Sequence, residues 1–122
     1  MKEFLILIYT TKWRERDHVT MAVLEFGEKM VGTAMIDFYG EGKKHALFWN
    51  LHVDPECRRL GIATHLMKKA EEIAAERGCR ELSLEWDVLD SPQWVQQWYS
   101  RQGFNSSLIS GPDHAWMTKK IG

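Results

Sequence analysis

The residues best suited to chemistry lie in one stretch, Leu51-His52-Val53-Asp54-Pro55-Glu56-Cys57-Arg58-Arg59-Leu60-Gly61-Ile62-Ala63-Thr64, whose core reads Arg-x-x-Gly-x-Ala. A strand ends there, a short loop turns at Pro55, and a helix begins near Gly61. Gly61 and Ala63 remove side-chain bulk where the first helical N–H groups have no partner of their own, so a pyrophosphate can approach them closely. The helix dipole favours the same negative charge. Arg58 and Arg59 can add charge-assisted hydrogen bonds and Thr64 a hydroxyl contact. Small residues and arginines near a helix start also make plain turns, so this loop alone does not define a ligand.

A second segment, Trp98-Tyr99-Ser100-Arg101-Gln102-Gly103-Phe104, ends a later helix and starts a strand. Helical spacing alone makes Tyr99 one more aromatic on a buried stripe with Trp94 and Trp98. Taken together, in this order and spacing, the two segments resemble the GNAT superfamily of acyl-CoA N-acyltransferases. That family combines a Val-x-Pro-x-x-Arg-x-x-Gly-x-Gly/Ala loop with a downstream aromatic-Tyr-x-x-x-Gly-Phe segment. The resemblance covers about residues 45 to 110.

The resemblance implies a role for each matching position. The backbone of Leu51 and Val53 would hold the pantetheine arm and thioester of acetyl coenzyme A. Arg58, Arg59, Leu60, Gly61, Ile62, Ala63 and Thr64 would hold its pyrophosphate, in a V between a fourth and a fifth strand that splay apart. Tyr99 would protonate the departing thiolate; an unperturbed tyrosine is a proton donor at neutral pH. An amine would attack the thioester directly, with a backbone N–H near Val53 stabilising the oxyanion.

Three departures from the family pattern stand out. Pro92 occupies the place of a cofactor-contacting asparagine, with Ser91 as its nearest substitute, and Leu47 occupies the place of a glutamate that serves some relatives as general base. The remaining candidate bases are His52, Asp37, Glu85 and Asp87, or a water chain. On a regular strand His52 faces away from Leu51 and Val53, and a bulge would reverse that. Relatives also insert two helices between the first strands, whereas about ten residues fit here, enough for one helical turn. The open side suits a large acceptor such as a protein amine, or a dimer whose partner closes the site.

The elements that must position these residues follow from pattern. Phe4 to Tyr9 reads as a strand buried on both sides, with a polar linker from Thr10 to Asp17. Val19–Phe26, Met30–Tyr39 and His45–Val53 continue as an antiparallel meander, with turns at Gly27-Glu28-Lys29 and Gly40 to Lys44. Leu66, Met67, Ala70, Ile73 and Ala74 recur at helical spacing, and Gly78 sits at the C-terminal cap. Glu81–Trp86 is a strand after a crossover helix, and Ser91-Pro92 opens a second helix that ends at Gly103. Phe104–Ile109 and Ala115–Ile121 form a closing hairpin around Gly111-Pro112-Asp113. The expected fold is α/β (α+β): a mixed, mostly antiparallel sheet of about seven strands with two principal helices, in the order β-β-β-β-α-β-α-β-β.

Whole-chain properties bound the rest. The 122 residues suit a single domain, 1–122, and 44% hydrophobic with 27% charged residues describes an ordered globular chain. A net charge of −1 supplies no basic excess for nucleic acid. No run approaches the roughly 20 apolar residues of a membrane span, and a cytoplasmic location is expected. Cys57 and Cys79 are expected as free thiols, and the five histidines show no metal-ligand spacing. Most of the six tryptophans are expected to fill the core. Beside the enzyme, two readings stay open: a coenzyme A-binding module without catalysis and a protein-interaction module on the same fold.

Overall fold

Period-two alternation makes much of this chain strand, and the computed structural model, which describes residues 4–25, 29–87, 93–109 and 114–122, shows where each strand goes. The elements are β1 (Phe4–Trp13), β2 (Arg16–Glu25), β3 (Lys29–Tyr39), β4 (His45–Val53), α1 (Ile62–Glu76), β5 (Glu81–Asp87), α2 (Gln93–Arg101), β6 (Asn105–Ile109) and β7 (His114–Lys120). The strands form one seven-stranded sheet in the order β1-β2-β3-β4-β5-β7-β6. Every neighbouring pair is antiparallel except β4–β5, which is parallel and is bridged by α1. The mixed sheet with two principal helices is thus the expected fold.

Alternation puts Val19, Met21 and Val23 of β2, Ala34, Ile36 and Phe38 of β3, and Ala46 and Phe48 of β4 in the core. Against them α1 buries Ile62, Leu66, Met67, Ala70 and Ala74, spaced three or four residues apart on one stripe. Leu66 is fully buried, and truncating it to alanine would cost about 2–5 kcal/mol. The helix stops as its sequence predicts. Gly78 takes φ 83°, its N–H reaches the Ala75 carbonyl at 2.9 Å, and Cys79 N–H reaches Ala74 at 3.0 Å.

An ion cluster fixes that end of α1 to the sheet. Buried Asp17 of β2 accepts from Arg77 Nη1 and from Lys43 Nζ, each at 2.9 Å. The Lys43 bond first, and the Arg77 bond next, hold the Asp17 carboxyl below its ordinary range. The Arg77 guanidinium also lies 4.4 Å from the Phe38 ring centre.

The front of the molecule corrects the sequence reading. β1 does not end at Tyr9, and residues 10–17 are neither a polar linker nor a helical turn. They extend a hairpin in continuous register from Phe4↔Glu25 to Trp13↔Arg16, turning at Arg14 and Glu15. Thr10, Thr11 and Trp13 are strand-favouring residue types, and backbone pairing with β2 carries the charged residues of this stretch into the same ladder. β1 is also not buried on both faces. It is an edge strand, with Leu5, Leu7, Ile8, Tyr9 and Trp13 exposed.

Smaller differences occur elsewhere. The loop after β4 is a 3-10 helix, Pro55–Leu60, and Glu41–Lys43 forms a short 3-10 turn. β6 starts at Asn105, since the Phe104 N–H bonds back to the Tyr99 carbonyl at 3.1 Å, and β7 runs from His114 to Lys120. Trp13 and Trp49 are exposed and Trp98 and Trp116 half-buried, so the described tryptophan side chains do not fill the core. Trp13 stands on the sheet edge and Trp49 on the sheet face away from α1, where no described element covers them. The turn around Gly27, the Ser91-Pro92 cap with its Asn-substitute role, and the Gly111-Pro112-Asp113 turn fall outside the described residues. Cys57 and Cys79 are buried free thiols.

Candidate functional site

The start of α1 is built to leave backbone N–H groups free. Gly61 adopts φ 77°, the left-handed region that suits glycine, and so turns the chain from the 3-10 helix into α1. A Cβ on Gly61 would meet no protein atom within 4 Å, so the space beside it is open. The first intrahelical bond runs from His65 N–H to the Gly61 carbonyl at 3.0 Å, which leaves the N–H groups of Ile62, Ala63 and Thr64 without helical partners. No side chain caps them and no acidic residue stands in the first turn. Lys29 sits 3.5 Å from both Asp54 and Glu56, so the two loop carboxylates are engaged away from this end. Arg59 is exposed; the Arg58 side chain is outside the described set.

Close packing fixes the helix start on the sheet. A Cβ at Gly32 of β3 would lie 2.9 Å from Ile62 Cγ2, so the absent side chain is what lets α1 approach. Asp54 N–H bonds the Val31 carbonyl at 2.8 Å, tying the loop to the same strand.

β4 and β5 share a single registered pair, Leu47↔Ser83, although they are 9 and 7 residues long. Beyond Leu47 the two parallel strands are not paired. In β4 the register against β3 shifts between Thr33 and Met35, and Asn50 takes φ 56°, which marks a bulge. The bulge turns Val53, paired with Gly32 under Ile62, and with it Leu51 to the α1 face, while His52, paired with Thr33, stays on the opposite face; all three border the cleft where β4 leaves β5.

That cleft, about 370 Å³, is lined by Leu51, His52, Val53, Ala63, Val95, Trp98 and Tyr99. It therefore runs from the free helix start to the α2 aromatic pair. Clefts of about 400 and 510 Å³ lie elsewhere, at residues such as His45 and Arg80 or Trp13 and His18, and neither reaches the α1 start. Tyr99 packs edge-on against Trp98 and Phe104, with ring centres 5.2 and 6.0 Å away. Burial pushes its phenol above the ordinary tyrosine value, so it stays protonated at neutral pH. Gly103, at φ 99°, turns the chain so that Phe104 enters the core.

The candidate bases separate by position. His52 is in the cleft, exposed, and 4.0 Å from Asp54. Glu85 is exposed on β5, and the Asp87 side chain is outside the described residues. Asp37 stands directly across from Leu47, so a buried carboxylate does lie one strand from the position that carries a glutamate in some GNAT relatives. It is committed, however. Trp49 Nε1 donates to it at 2.9 Å, Arg16 Nη1 at 3.3 Å, and His18 Nδ1 makes a short contact. Sequence reading missed this cluster; its only trace was a polar residue at period two within otherwise apolar strands.

A model of the acetyltransferase (GNAT) family matches residues 2–104. No curated protein sequence matches the chain significantly. Among solved structures, the ribosomal-protein-S18-alanine N-acetyltransferase of Escherichia coli superposes with a TM-score of 0.72 at 17% identity, over 100% of this chain and 95% of that one. An acetyltransferase from Bacillus cereus gives 0.72 at 22% identity, over 87% and 74% of the two chains. The PaiA N-acetyltransferase of Thermoplasma acidophilum, solved in complex with coenzyme A, gives 0.73 at 18% identity, over 85% of this chain and 61% of that one. At these identities the superpositions establish the shared fold.

Proposed function

The chain belongs to the acetyltransferase (GNAT) family, and from that premise we propose that it transfers an acetyl group from acetyl coenzyme A to an amine in a ternary complex. The observation that carries the reading is the uncapped start of α1 opening into the cleft that ends at Tyr99. A diphosphate offered to the N–H groups of Ile62, Ala63 and Thr64 gains hydrogen bonds and the helix dipole together. Gly61 leaves room for it, and Arg58, Arg59 and Leu60 of the preceding turn would supply the remaining contacts. Leu51 and Val53 lie in the part of β4 beyond its registered pair with β5, and their backbone would hold the pantetheine arm.

In the chemical step the amine nitrogen attacks the thioester carbonyl carbon, a C–N bond forms, and the C–S bond breaks. The backbone N–H near Val53 stabilises the oxyanion. Tyr99, which burial keeps protonated, gives its proton to the leaving sulfur. His52, in the same cleft, takes the proton lost by the attacking amine; histidine is the side chain that exchanges a proton most readily near neutral pH. The acceptor is a large amine such as a protein amino group, since the hairpin that replaces a longer β1–β2 connection leaves the sheet face beside Trp49 uncovered.

Calorimetric titration with acetyl coenzyme A, followed by free-thiol release in the presence of peptide amines, tests this. Saturable binding and amine-dependent thiol release are expected; no heat at millimolar cofactor would end the proposal. A second reading, cofactor binding without catalysis, is favoured by the commitment of Asp37 to three donors. Binding without thiol release from any amine would select it.

A further inference from the structure

The two edges of the sheet are built differently. β6 is 5 residues long and its register against β7 is broken between Ser106 and Leu108. A short, bulged strand is a usual way to keep an edge from pairing. β1 has none of these devices. It is 10 residues long, its register against β2 is unbroken, it contains no proline, and from Phe4 to Thr11 it carries no charge. Among the described residues nothing pairs with its outer side.

The side chains of β1 point the same way. Leu5 is 59% exposed, Leu7 46%, Ile8 42%, Tyr9 56% and Trp13 58%. With large side chains of this kind each presenting on the order of 200 Å² when free, these fractions leave roughly 500 Å² of mainly apolar surface on one strand, most of it on the face of Leu5, Leu7, Tyr9 and Trp13. A patch of that size is at the upper limit for a monomer's surface. Adding the open backbone edge brings it close to the roughly 800 Å² that each partner contributes to a standard interface.

We propose that a second copy of this chain covers the edge, β1 against β1, antiparallel about a twofold axis, so that the two sheets run on as one. The segment is complementary to itself. With Leu7 opposite its own copy, Phe4 faces Thr10, Leu5 faces Tyr9 and Ile6 faces Ile8, and no charged residue lies within this segment. Directly opposed residues share a face of an antiparallel sheet, so Leu5, Leu7 and Tyr9 of both copies form one apolar strip. An isologous contact of this kind closes on itself and leaves no edge for further growth. It does not depend on acetyl transfer.

Sedimentation equilibrium of the 122-residue chain at micromolar concentration should give about twice the 14.3 kDa subunit mass. Leu7→Lys puts like charges together at the axis and should weaken the dimer at least about 30-fold, the size of a central interface residue's effect. Because Leu7 is half exposed, the subunit should keep its circular dichroism spectrum; Tyr9→Lys serves if it does not. Mixing Leu7→Lys with Leu7→Glu should restore the dimer mass, which a random surface contact would not do. A monomer at every concentration up to about 100 μM, far above the dissociation constants of stable interfaces, would overturn the proposal. So would a dimer indifferent to both lysine variants, or capture of β1 only by a different protein.

Discussion

Replacing Thr64 with glutamate should move stability and cofactor affinity in opposite directions. Thr64 is in the first turn of α1, half-buried, in a turn that has no side-chain cap and no acidic residue. A carboxylate there meets the positive end of the helix dipole and should stabilise the fold by about 0.3–1 kcal/mol. For a domain of this size that raises Tm by about 1–5 °C. The same charge would stand about 5 Å from a diphosphate on the N–H groups of Ile62 and Ala63. At an effective dielectric constant of about 40–80, two negative phosphate charges are repelled by about 2–3 kcal/mol in total, a weakening on the order of 30- to 150-fold. Calorimetry with coenzyme A and thermal melts of Thr64→Glu beside Thr64→Gln isolate the charge from the lost hydroxyl, and raising the salt to about 1 M should narrow the gap. Equal coenzyme A affinity of the two variants would refute a diphosphate at this helix start.

Tyr99→Phe should lower kcat by about 100-fold or more while the Kd for acetyl coenzyme A changes little, measured by thiol release and calorimetry. Since burial raises the Tyr99 pKa, wild-type turnover should persist through the ordinary tyrosine range before its alkaline limb, and that limb should be missing in Tyr99→Phe. His52→Gln should lower kcat/KM and leave coenzyme A binding intact; an unchanged kcat/KM would assign proton removal to another group. Asp17→Asn should cost about 1–3 kcal/mol at pH 7 in urea unfolding. The lowered Asp17 pKa makes this stabilisation fully present above the unfolded carboxyl value of about 3.9, and it is lost as pH falls through the folded value, so wild type and variant should converge in strong acid.

Much of the fold was legible because its signals are local. Helical spacing from Leu66 to Ala74 and the glycine at 78 delimit α1, and both survive in the structure because burial and the left-handed cap act over one or two turns. The loop from Leu51 to Thr64 was legible for the same reason, since a small-residue helix start is written in consecutive residues. The family resemblance added Tyr99, which helical spacing alone would have left among the core aromatics.

Tertiary structure decided what depends on neighbours distant in sequence. Phe4 to Tyr9 is apolar enough for an interior strand, yet it is an edge, because position in a sheet is set by which strands pair and not by a strand's own composition. Asp37 was one of four candidate bases in sequence, and only strand pairing shows that His18, Arg16 and Trp49 reach it from other strands. Which sheet face Leu51 and Val53 take, and that His52 takes the other, depended on one extra residue in β4, at Asn50, whose left-handed φ exists only in register with β3. The sequence by itself determined the segments and the chemistry that each can offer. Which of those groups face one another was fixed by long-range backbone pairing, whose register no single segment encodes.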